Sequence, residues 1–400
     1  TSGAQLCTGA LAERAFSHAL CTCTDASIAG YLRTESFNSN IFAPTVRQGA
    51  PVGINDEYLT AGVPDIGGSF TVAGPFGLTL AGAMFAYGDV RIKGNLTWAG
   101  YSQIGRDLYL GGQALGAGYM TLGRDWYQPF GTLNLAIFTA GGQFKPGPVT
   151  VDPPCACGAN DIIDAADIVD HGRTNNDNAL INLDPAALTG VIGVRNLTLP
   201  CGRYYLDEIS GLGVANVTVT GRVALFVDGD ILTAGVLTFN LAPGAEIDIF
   251  VKGNFVPTGL VTLGNQARPA ASRMYIGGNG DVLLTGAGGF VGNVYAPRSF
   301  VTITGYGDVY GSIFANDLLV PGFLNIHYDR GVLDSAKDCG PPPPPADGGP
   351  PPDTGCNNSC ECAGGGVCRE GECATNCGSD GDCCSPYVCY PDGTCGPLLY

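Results

Sequence analysis

Three histidines, His18, His171 and His327, are the only imidazole side chains in this chain of 400 residues. No two of them are spaced like metal ligands or a catalytic pair, and no Ser-His-Asp arrangement can be proposed from their positions. His18 falls in a short helix-like stretch near the N-terminus, His171 follows an acidic helical segment, and His327 lies in the last sequence repeat. We expect structural roles for all three, and we predict no catalytic, cofactor-binding or metal-binding residue.

A short basic element, Arg91-Ile92-Lys93, matches one that occurs in polygalacturonases, which are enzymes built on a parallel β-helix. Those enzymes resemble one another in further motifs, namely Asn-Thr-Asp, a paired aspartate and Gly-His-Gly, and the strands before Arg91 contain none of them. Asp170-His171-Gly172 lies far downstream, in a segment of different character. We interpret the basic element as a coincidence and predict that the protein is not an enzyme.

Acidic and amide residues could hold calcium through oxygen ligands at two places. One is a column at repeat corners, Asp230, Asn254 and Asp281, and the other is the stretch from Asp170 to Asp177. Neither shows the one-three-five ligand spacing of a calcium loop. We interpret both as solvated turn residues and predict no cofactor, with calcium as the alternative.

Seventeen cysteines indicate an oxidising compartment. Ten of them fall in the last 45 residues, where neither histidine nor paired CxxC spacing supports a metal site. A module this small depends on its bridges, which are worth about 2 to 4 kcal/mol each. We predict structural disulfides in the tail at Cys356, Cys360, Cys362, Cys368, Cys373, Cys377, Cys383, Cys384, Cys389 and Cys395.

Six further cysteines are predicted to form three structural bridges: Cys7, Cys21, Cys23, Cys155, Cys157 and Cys201. Cys339 is then left over. An odd cysteine on a secreted chain indicates either a bond to another chain or a free thiol. The alternative is that Cys339 pairs internally and a different cysteine is free.

One phrase recurs five times in the second half of the chain, each time with an aromatic residue at a fixed place and a closing glycine. The aromatic residues are Phe226, Phe250, Tyr275, Tyr295 and Phe314. Steps of 24, 25, 20 and 19 residues between them suit one coil of a parallel β-helix and leave no room for a helix in each repeat. The apolar residues alternate, as at Leu225 and Val227, which is typical of strands with one side in a narrow core.

A tighter repeat occupies the first half, with copies that start at Gly88, Gly105 and Gly123. These starts are 17 and 18 residues apart, again one coil each. We therefore predict a solenoid from about residue 65 to about residue 330, interrupted once between Pro148 and Pro200.

The interruption has helical periodicity. Asn160-Asp161 is a plausible helix cap, and the apolar residues that follow share one face of a helix, with aspartates on the other face. Those apolar residues are Ile162, Ala165, Ala166 and Val169. We interpret this segment as an excursion that lies against the flank of the solenoid.

The predicted fold class is all-β, a right-handed parallel β-helix with a short helical excursion and a small disulfide-rich C-terminal module. The predicted units are an N-terminal cap with a short helix (1–64), the first part of the solenoid (65–147), the excursion (148–200), the second part of the solenoid (201–338), a proline-rich linker or arm (339–355) and a cystine-rich knottin-like module (356–400).

Composition limits the partners. Hydrophobic residues make up 45% and charged residues 14%, which is typical of a folded chain with a large core. A net charge of −17 argues against nucleic acid and anionic lipid as ligands, and no apolar run has membrane-spanning length. The chain starts at Thr1 without a signal-like stretch, so we expect that a leader has been removed from an exported protein.

Residues 150 to 330 resemble an uncharacterised bacterial surface-protein domain that occurs in secreted and pilus-assembly-type proteins and is similar to choice-of-anchor A adhesin solenoids. The most specific part of the resemblance is the closing Ile326-His327-Tyr328-Asp329. The other matching stretches are Leu199 to Tyr205, Val223 to Val227, Gly292 to Pro297 and Tyr310 to Phe314. The resemblance implies a right-handed β-helix with a surface or adhesive role, and it brings no catalytic residue. The tail is similar to Dickkopf-like and knottin modules in its Cys383-Cys384 spacing.

Two functional hypotheses follow. The first is a secreted bacterial structural protein at the cell surface, which self-associates into a homopolymeric extracellular fibre or surface layer or forms an adhesin stalk, because the exposed ends of a solenoid invite stacking. The alternative is a protein that binds or degrades polysaccharide along a lateral groove. Tyr109, Trp126 and Tyr127 are the nearest candidates for that groove.

Overall fold

The structure is a computed structural model that describes residues 8–41, 43–132, 137–285, 289–304 and 306–335, and four short strands of the C-terminal segment. The two helices among the described residues are α1 (Thr8–Phe16) and α2 (Ala165–Thr174), and everything else of regular structure is strand or short 3₁₀ turn. No helix in the described ranges is long and apolar enough to cross a membrane.

The N-terminal half supplies short strands separated by glycine-containing corners. They are β1 (Leu20–Thr22), β2 (Ala26–Ile28), β3 (Tyr31–Asn38), β4 (Ala43–Val46), β5 (Val52–Ile54), β6 (Tyr58–Thr60), β7 (Val63–Ile66), β8 (Phe70–Val72), β9 (Gly77–Leu80), β10 (Met84–Ala86), β11 (Val90–Ile92), β12 (Asn95–Ile104), β13 (Leu108–Leu110), β14 (Ala114–Leu122), β15 (Trp126–Gln128), β16 (Ile137–Ala140) and β17 (Phe144–Pro146).

The C-terminal half supplies longer strands. They are β18 (Val194–Leu199), β19 (Gly202–Leu206), β20 (Ile209–Gly211), β21 (Val214–Val219), β22 (Arg222–Val227), β23 (Ile231–Thr233), β24 (Val236–Leu241), β25 (Glu246–Val251), β26 (Leu260–Leu263), β27 (Ser272–Ile276), β28 (Val282–Thr285), β29 (Phe290–Thr304), β30 (Tyr306–Val320) and β31 (Phe323–Asp329).

In the C-terminal segment the structure describes two antiparallel hairpins, and nothing further of the predicted cystine-rich module. The first pairs β32 (Val367–Arg369) with β33 (Glu372–Ala374), and the second pairs β34 (Tyr387–Cys389) with β35 (Cys395–Pro397).

Strands of successive coils pair in parallel, one above another, and form the three faces of a rod. Face 1 is the longest stack, with the order β19, β22, β25, β27, β29, β30, β1, β5, β8, β11, β13, β15 and β17. The inward residues of each strand are apolar and buried, as the alternation in β11, β13 and β21 shows. The prediction of a parallel β-solenoid with a short helical excursion is confirmed.

The coils do not stack in the order of the chain. The last coil of the C-terminal half, β30 and β31, lies directly on the first coil of the N-terminal half. The register partners at this junction are Leu20 with Ile313, Ala26 with Leu318 and Leu32 with Leu324. The chain therefore enters the rod near its middle, builds one half outward, crosses to the far end, and builds the other half back to the middle.

The start of the solenoid differs from the sequence interpretation, which assigned residues 1–64 to a cap. Coils begin at Leu20, because β1, β2 and β3 already supply one strand to each face. Two features hide this coil in the sequence. Its first two strands are three residues long, and β3 continues into an antiparallel pairing with β4 that lengthens the coil by an insertion.

The excursion lies against face 1, where α2 contacts β19, β22 and β25. Its helix begins later than the sequence indicated. The N-cap is Asp164, whose carboxylate accepts hydrogen bonds from the N–H groups of Ala166 and Asp167, and not Asn160-Asp161. Before the cap the chain is extended enough for the N–H of Ile163 to donate to the Tyr295 hydroxyl at 3.0 Å.

Candidate functional site

The stretch Ile326-His327-Tyr328-Asp329 lies on β31, at the junction of the two halves. His327 points away from the core and contacts a carboxylate on each side. Its Nδ1 lies 2.7 Å from Oε1 of Glu35 on β3, and its Nε2 lies 3.4 Å from Oδ1 of Asp308 on β30. The ring of Tyr310 stacks on the imidazole with centroids 4.4 Å apart. Since both ring nitrogens contact carboxylates, the imidazole joins three coils and has no nitrogen free for a substrate.

Glu35 continues this network across the junction. Arg33 donates to its carboxylate at 2.9 Å, and Arg47 lies 4.0 Å from it and also pairs with Asp65. Tyr31 donates to the same Asp65 at 2.6 Å. Burial, the hydrogen bond to Asp65 and the charge of Asp65 raise the pKa of Tyr31 to about 12, so its hydroxyl remains a donor at physiological pH.

Asp329, which closes the motif, is fully buried and accepts four hydrogen bonds. Its donors are the N–H and hydroxyl of Ser39 at 2.9 and 2.6 Å, the N–H of Gly331 at 3.0 Å and the N–H of Ala270 at 3.1 Å. These donors come from both halves of the chain. A buried carboxylate is tolerated only when its oxygens are satisfied in this way, so Asp329 connects the halves from beneath the surface.

The N-terminal helix closes the junction from the side. The hydroxyl of Tyr328 donates to the carbonyl of Phe16 at the end of α1, at 2.6 Å. Phe16 is fully buried, and its ring meets those of Tyr275 and Tyr295 at centroid distances of 5.6 and 6.5 Å. Burial lowers the pKa of the nearby His18 from 6.5 to about 4, so this imidazole is neutral in the fold.

Two disulfides attach the excursion to the first coil of the rod. Cys21 pairs with Cys155 and Cys23 with Cys157. Next to them, Asn55 holds the backbone of Cys155 with two hydrogen bonds of 2.9 Å. The first coil can lie this close because position 53 is glycine: a Cβ there would lie 2.9 Å from side-chain atoms of Pro154.

Cys201 is disulfide-bonded as well. Cys368, Cys373, Cys389 and Cys395 belong to the strands of the two C-terminal hairpins. The remaining cysteines lie outside the described residues, and they are Cys7, Cys339, Cys356, Cys360, Cys362, Cys377, Cys383 and Cys384.

The repeated aromatic residues form one column on the outer side of face 1. Phe226, Phe250, Tyr275, Tyr295 and Phe314 are register partners, with ring centroids 4.7 to 6.0 Å apart. All five are buried, because the excursion covers this side of the rod. The aromatics are therefore the seat of the excursion and do not form an exposed ligand surface.

The same column continues in the N-terminal half and is partly exposed there. Tyr109 and Tyr127 stack with centroids 4.6 Å apart, Arg91 lies 4.6 Å from the ring centre of Tyr109, and Lys145 lies 5.2 Å from that of Tyr127. Both outer ring faces are thus covered by cations. A sugar needs a free ring face for stacking, and this pair offers only ring edges.

Trp126, the third aromatic candidate for a groove, does not join this pair. It is a register partner of the buried Leu108, and it stacks on Phe138 at 4.1 Å near the last coil of the N-terminal half. Trp126 therefore helps to close the core, and the structure does not bring the three candidates together.

Aspartates and asparagines at the corners form ladders of backbone hydrogen bonds. Oδ1 of Asp230 accepts from the N–H of Asn254 at 2.6 Å, and Oδ1 of Asn254 accepts from the N–H of Gly280 at 2.8 Å. Asp107 and Asp125 continue the same pattern in the other half, where Oδ1 of Asp107 accepts from the N–H of Asp125 at 2.9 Å. Each such side chain joins its own coil to the next.

The second candidate for calcium, the stretch from Asp170 to Asp177, is engaged in the same way. Asp170 lies 2.5 Å from the ammonium of Lys252, and Asp177 accepts from the N–H of Arg203 at 2.7 Å. In the described part of the chain, no group of three or more His, Cys, Asp or Glu side chains is arranged to hold a metal ion.

The two ends of the rod are protected differently. At the end formed by β18, β19 and β20, the preceding segment covers the outer edges of two strands through bonds from Asn178 to Tyr205 and from the N–H of Ser210 to Leu188. At the other end, the N–H of Gly147 and the carbonyl of Gln143 bond to β15. Pro146 then occupies an outward position of β17 and has no N–H to offer.

Sequence reasoning missed the partners of His327. Glu35 and Asp308 carry no pattern that marks them, because their proximity arises from the rearranged order of the coils. The only signal in the sequence was the specificity of the closing motif, whose chemistry could not be assigned without the register of β3, β30 and β31.

Comparison with known proteins adds one finding. No curated protein and no solved structure matches the chain. Residues 157–334, from the second excursion cysteine to the end of the junction, match the model of a domain of unknown function (DUF7305).

Proposed function

We propose that this protein is a secreted, non-catalytic structural rod of a bacterial surface, which acts as the subunit of an extracellular fibre or layer or as the stalk of an adhesin. The observation that carries the proposal is the junction at His327, where both halves of the chain merge into one uninterrupted stack of coils. A stack of this kind is stiff along its axis, because each strand is bonded to the coil above and to the coil below.

The chemistry of the side chains supports a structural role. The described groups that could act as acids, bases or ligands are engaged in contacts between coils, as His327 and Asp329 are at the junction and Asp230 is at a corner. Perturbed ionisable groups gathered in a cleft are the usual mark of an enzyme site. Here the perturbed groups are scattered along the rod, and burial is the largest cause for most of them.

The disulfides support location outside the cell. Cys21–Cys155 and Cys23–Cys157 bond residues 134 positions apart, and such structural bridges persist in oxidising compartments. The resemblance to choice-of-anchor A adhesin solenoids and the Dickkopf-like spacing of the tail cysteines agree with a surface protein. The matched domain of unknown function covers the excursion and the C-terminal half of the rod.

Imaging of the purified full-length protein tests the proposal. We expect electron micrographs to show rods that associate as concentration rises, and light scattering to report species heavier than 41.1 kDa. Monodisperse particles at every concentration would remove the fibre and layer forms of the proposal. Turnover of any polysaccharide would overturn the non-catalytic role.

A second candidate, polysaccharide binding, is favoured by one depression on face 3, the stack that contains β7, β10, β12 and β14. Asp65, Phe85 and Gln103 are register partners there and line it together with Tyr87, which is 44% exposed. An aromatic ring beside a carboxylate and an amide suits a sugar. A glycan screen with Tyr87→Ala as the comparison tests it: loss of a binding signal supports the site, and an unchanged signal removes it.

A further inference from the structure

One sheet of the rod has an outer surface without charge. The strands β18, β21, β24 and β26 pair in parallel and in register over their length. The burial pattern alternates along them, so every second side chain points outward. The outward residues are Val194, Asn196, Thr198, Val214, Asn216, Thr218, Val236, Thr238, Asn240, Leu260 and Thr262. We call this surface the neutral sheet.

The residues of the neutral sheet form like columns. Val194, Val214, Val236 and Leu260 make an aliphatic column in which the two outermost members are 69% and 51% exposed. Beside it runs a column of amides and hydroxyls, in which the amide of Asn216 donates to Oδ1 of Asn196 at 3.0 Å. Exposed aliphatic residues that cluster on one face mark an interaction surface more strongly than single ones do.

The corner next to the aliphatic column extends it. Ile192 and Leu212 lie there, two residues before Val194 and Val214, and they are among the most exposed large apolar residues of the described chain. Together they widen the uncharged area beyond the sheet itself. The patch therefore spans several coils along the rod.

Charge favours a second copy of this chain as the occupant. With a net charge of −17, two copies repel each other over most of their surfaces. Contact through the neutral sheet brings no like charges together. The ends of the rod are less suitable, because one is largely covered by residues 177–191 and Pro146 blocks an edge position at the other.

We propose that two copies of the protein associate side by side through their neutral sheets, with the rods antiparallel. A two-fold axis perpendicular to the rods then places the aliphatic column of one copy on that of the other, and amides on amides. The inference rests on the proposed function, since it names the surface by which the rods assemble. Its first expectation is lateral pairing and not growth from the tips.

The size of the sheet sets the strength of the contact. Four strands about 4.8 Å apart and about six residues of roughly 3.3 Å each give about 400 Å² per copy. A standard interface buries about 800 Å² per partner. One such contact is weak alone, and an array that repeats it gains from multivalency.

The test compares two double variants with equal charge. T218E/T238E places two carboxylates on the neutral sheet, and T79E/T97E places two on the outer side of β9 and β12, where the threonines are register partners on another face. Thermal melts verify that both variants fold. We expect sedimentation velocity to show at least tenfold weaker self-association for T218E/T238E and the wild-type value for T79E/T97E.

The outcomes separate this inference from the proposed function. Self-association that both variants retain would overturn the neutral sheet as the contact and leave the assembly proposal standing. A wild type that stays monomeric at every concentration would overturn both. A monomeric wild type that binds a neutral glycan through this sheet, with binding lost in T218E/T238E, would replace the second copy by that ligand.

Discussion

His327 and Glu35 are separated by 292 positions in the sequence, and Nδ1 of the histidine lies 2.7 Å from the glutamate carboxylate. The pair spans the junction at which the last coil of the chain rests on the first. It shows how one motif can be specific without being catalytic: the histidine, the tyrosine and the aspartate of Ile326–Asp329 each bond to a distant part of the chain. The motif holds the two halves together.

Replacing Glu35 should weaken the junction. Glu35→Gln removes the charge that His327 and Arg33 contact while keeping the size of the side chain. Hydrogen bonds to charged groups contribute about 1.5 to 3 kcal/mol, so we expect a loss of about 2 kcal/mol in the free energy of unfolding, measured by urea denaturation. Glu13→Gln on the exposed side of α1 is the control. Equal losses in both variants would contradict a special role for the pair.

Removing the Asp329 carboxylate should be more damaging. Asp329→Ala leaves four donors without their acceptor, at a site with no exposed surface. Each unsatisfied buried group costs about 1 to 3 kcal/mol, so we expect a loss above about 3 kcal/mol and a clearly lower melting temperature. Asp281→Ala, at an exposed corner, should melt like the wild type. A stable Asp329→Ala protein would mean that the junction is held elsewhere.

The two disulfides should not contribute equally when removed one at a time. A bond that closes a loop of 134 residues restricts the unfolded chain by about 5 kcal/mol in the loop-entropy treatment. Once one of the adjacent bonds is present, the other closes only a loop of a few residues.

The matching experiment compares single and double removal. We predict that C23S/C157S costs little and that adding C21S/C155S costs about 5 kcal/mol more, followed by chemical denaturation under non-reducing conditions. Equal costs for the two bonds, whichever is removed first, would argue that local strain or packing dominates and not loop closure.

His18 should make stability depend on pH. Burial lowers its pKa from 6.5 to about 4, so the fold favours the neutral imidazole. Between these values the unfolded chain binds more protons than the folded chain, and stability therefore falls as pH drops from 6.5 towards 4. The shift corresponds to about 3 kcal/mol over this window. His18→Gln should remove that part of the pH dependence, and an unchanged profile from pH 7 to 4 would contradict it.

The sequence predicted the fold well where the repeat is regular. The aromatic phrase from Phe226 to Phe314 and the copies at Gly88, Gly105 and Gly123 mark real coils, because inward alternation and tight corners impose a pattern on every turn of a solenoid. The first coil was missed, because strands of three residues are too short to show alternation.

The order of the coils could not be predicted. Neighbours along a chain usually stack in sequence, and nothing in residues 20–38 marks them as the neighbours of residues 309–329. The burial of the aromatic column also depended on this topology: the excursion must return along face 1 to reach the far end, and it covers the rings on its way. Periodicity predicts which residues stack and is silent on what covers them.

The most direct test of this account is one distance across the rod. Labels at Lys145 and Thr198 belong to opposite ends, and face 1 places 12 inter-strand steps between those ends, or about 58 Å at roughly 4.8 Å each. Because the chain has 17 cysteines, the labels should be attached through unnatural amino acids. Pulsed electron paramagnetic resonance should report a distance near that value. A short distance, as expected if the coils before and after the excursion were neighbours, would contradict the arrangement of the whole rod.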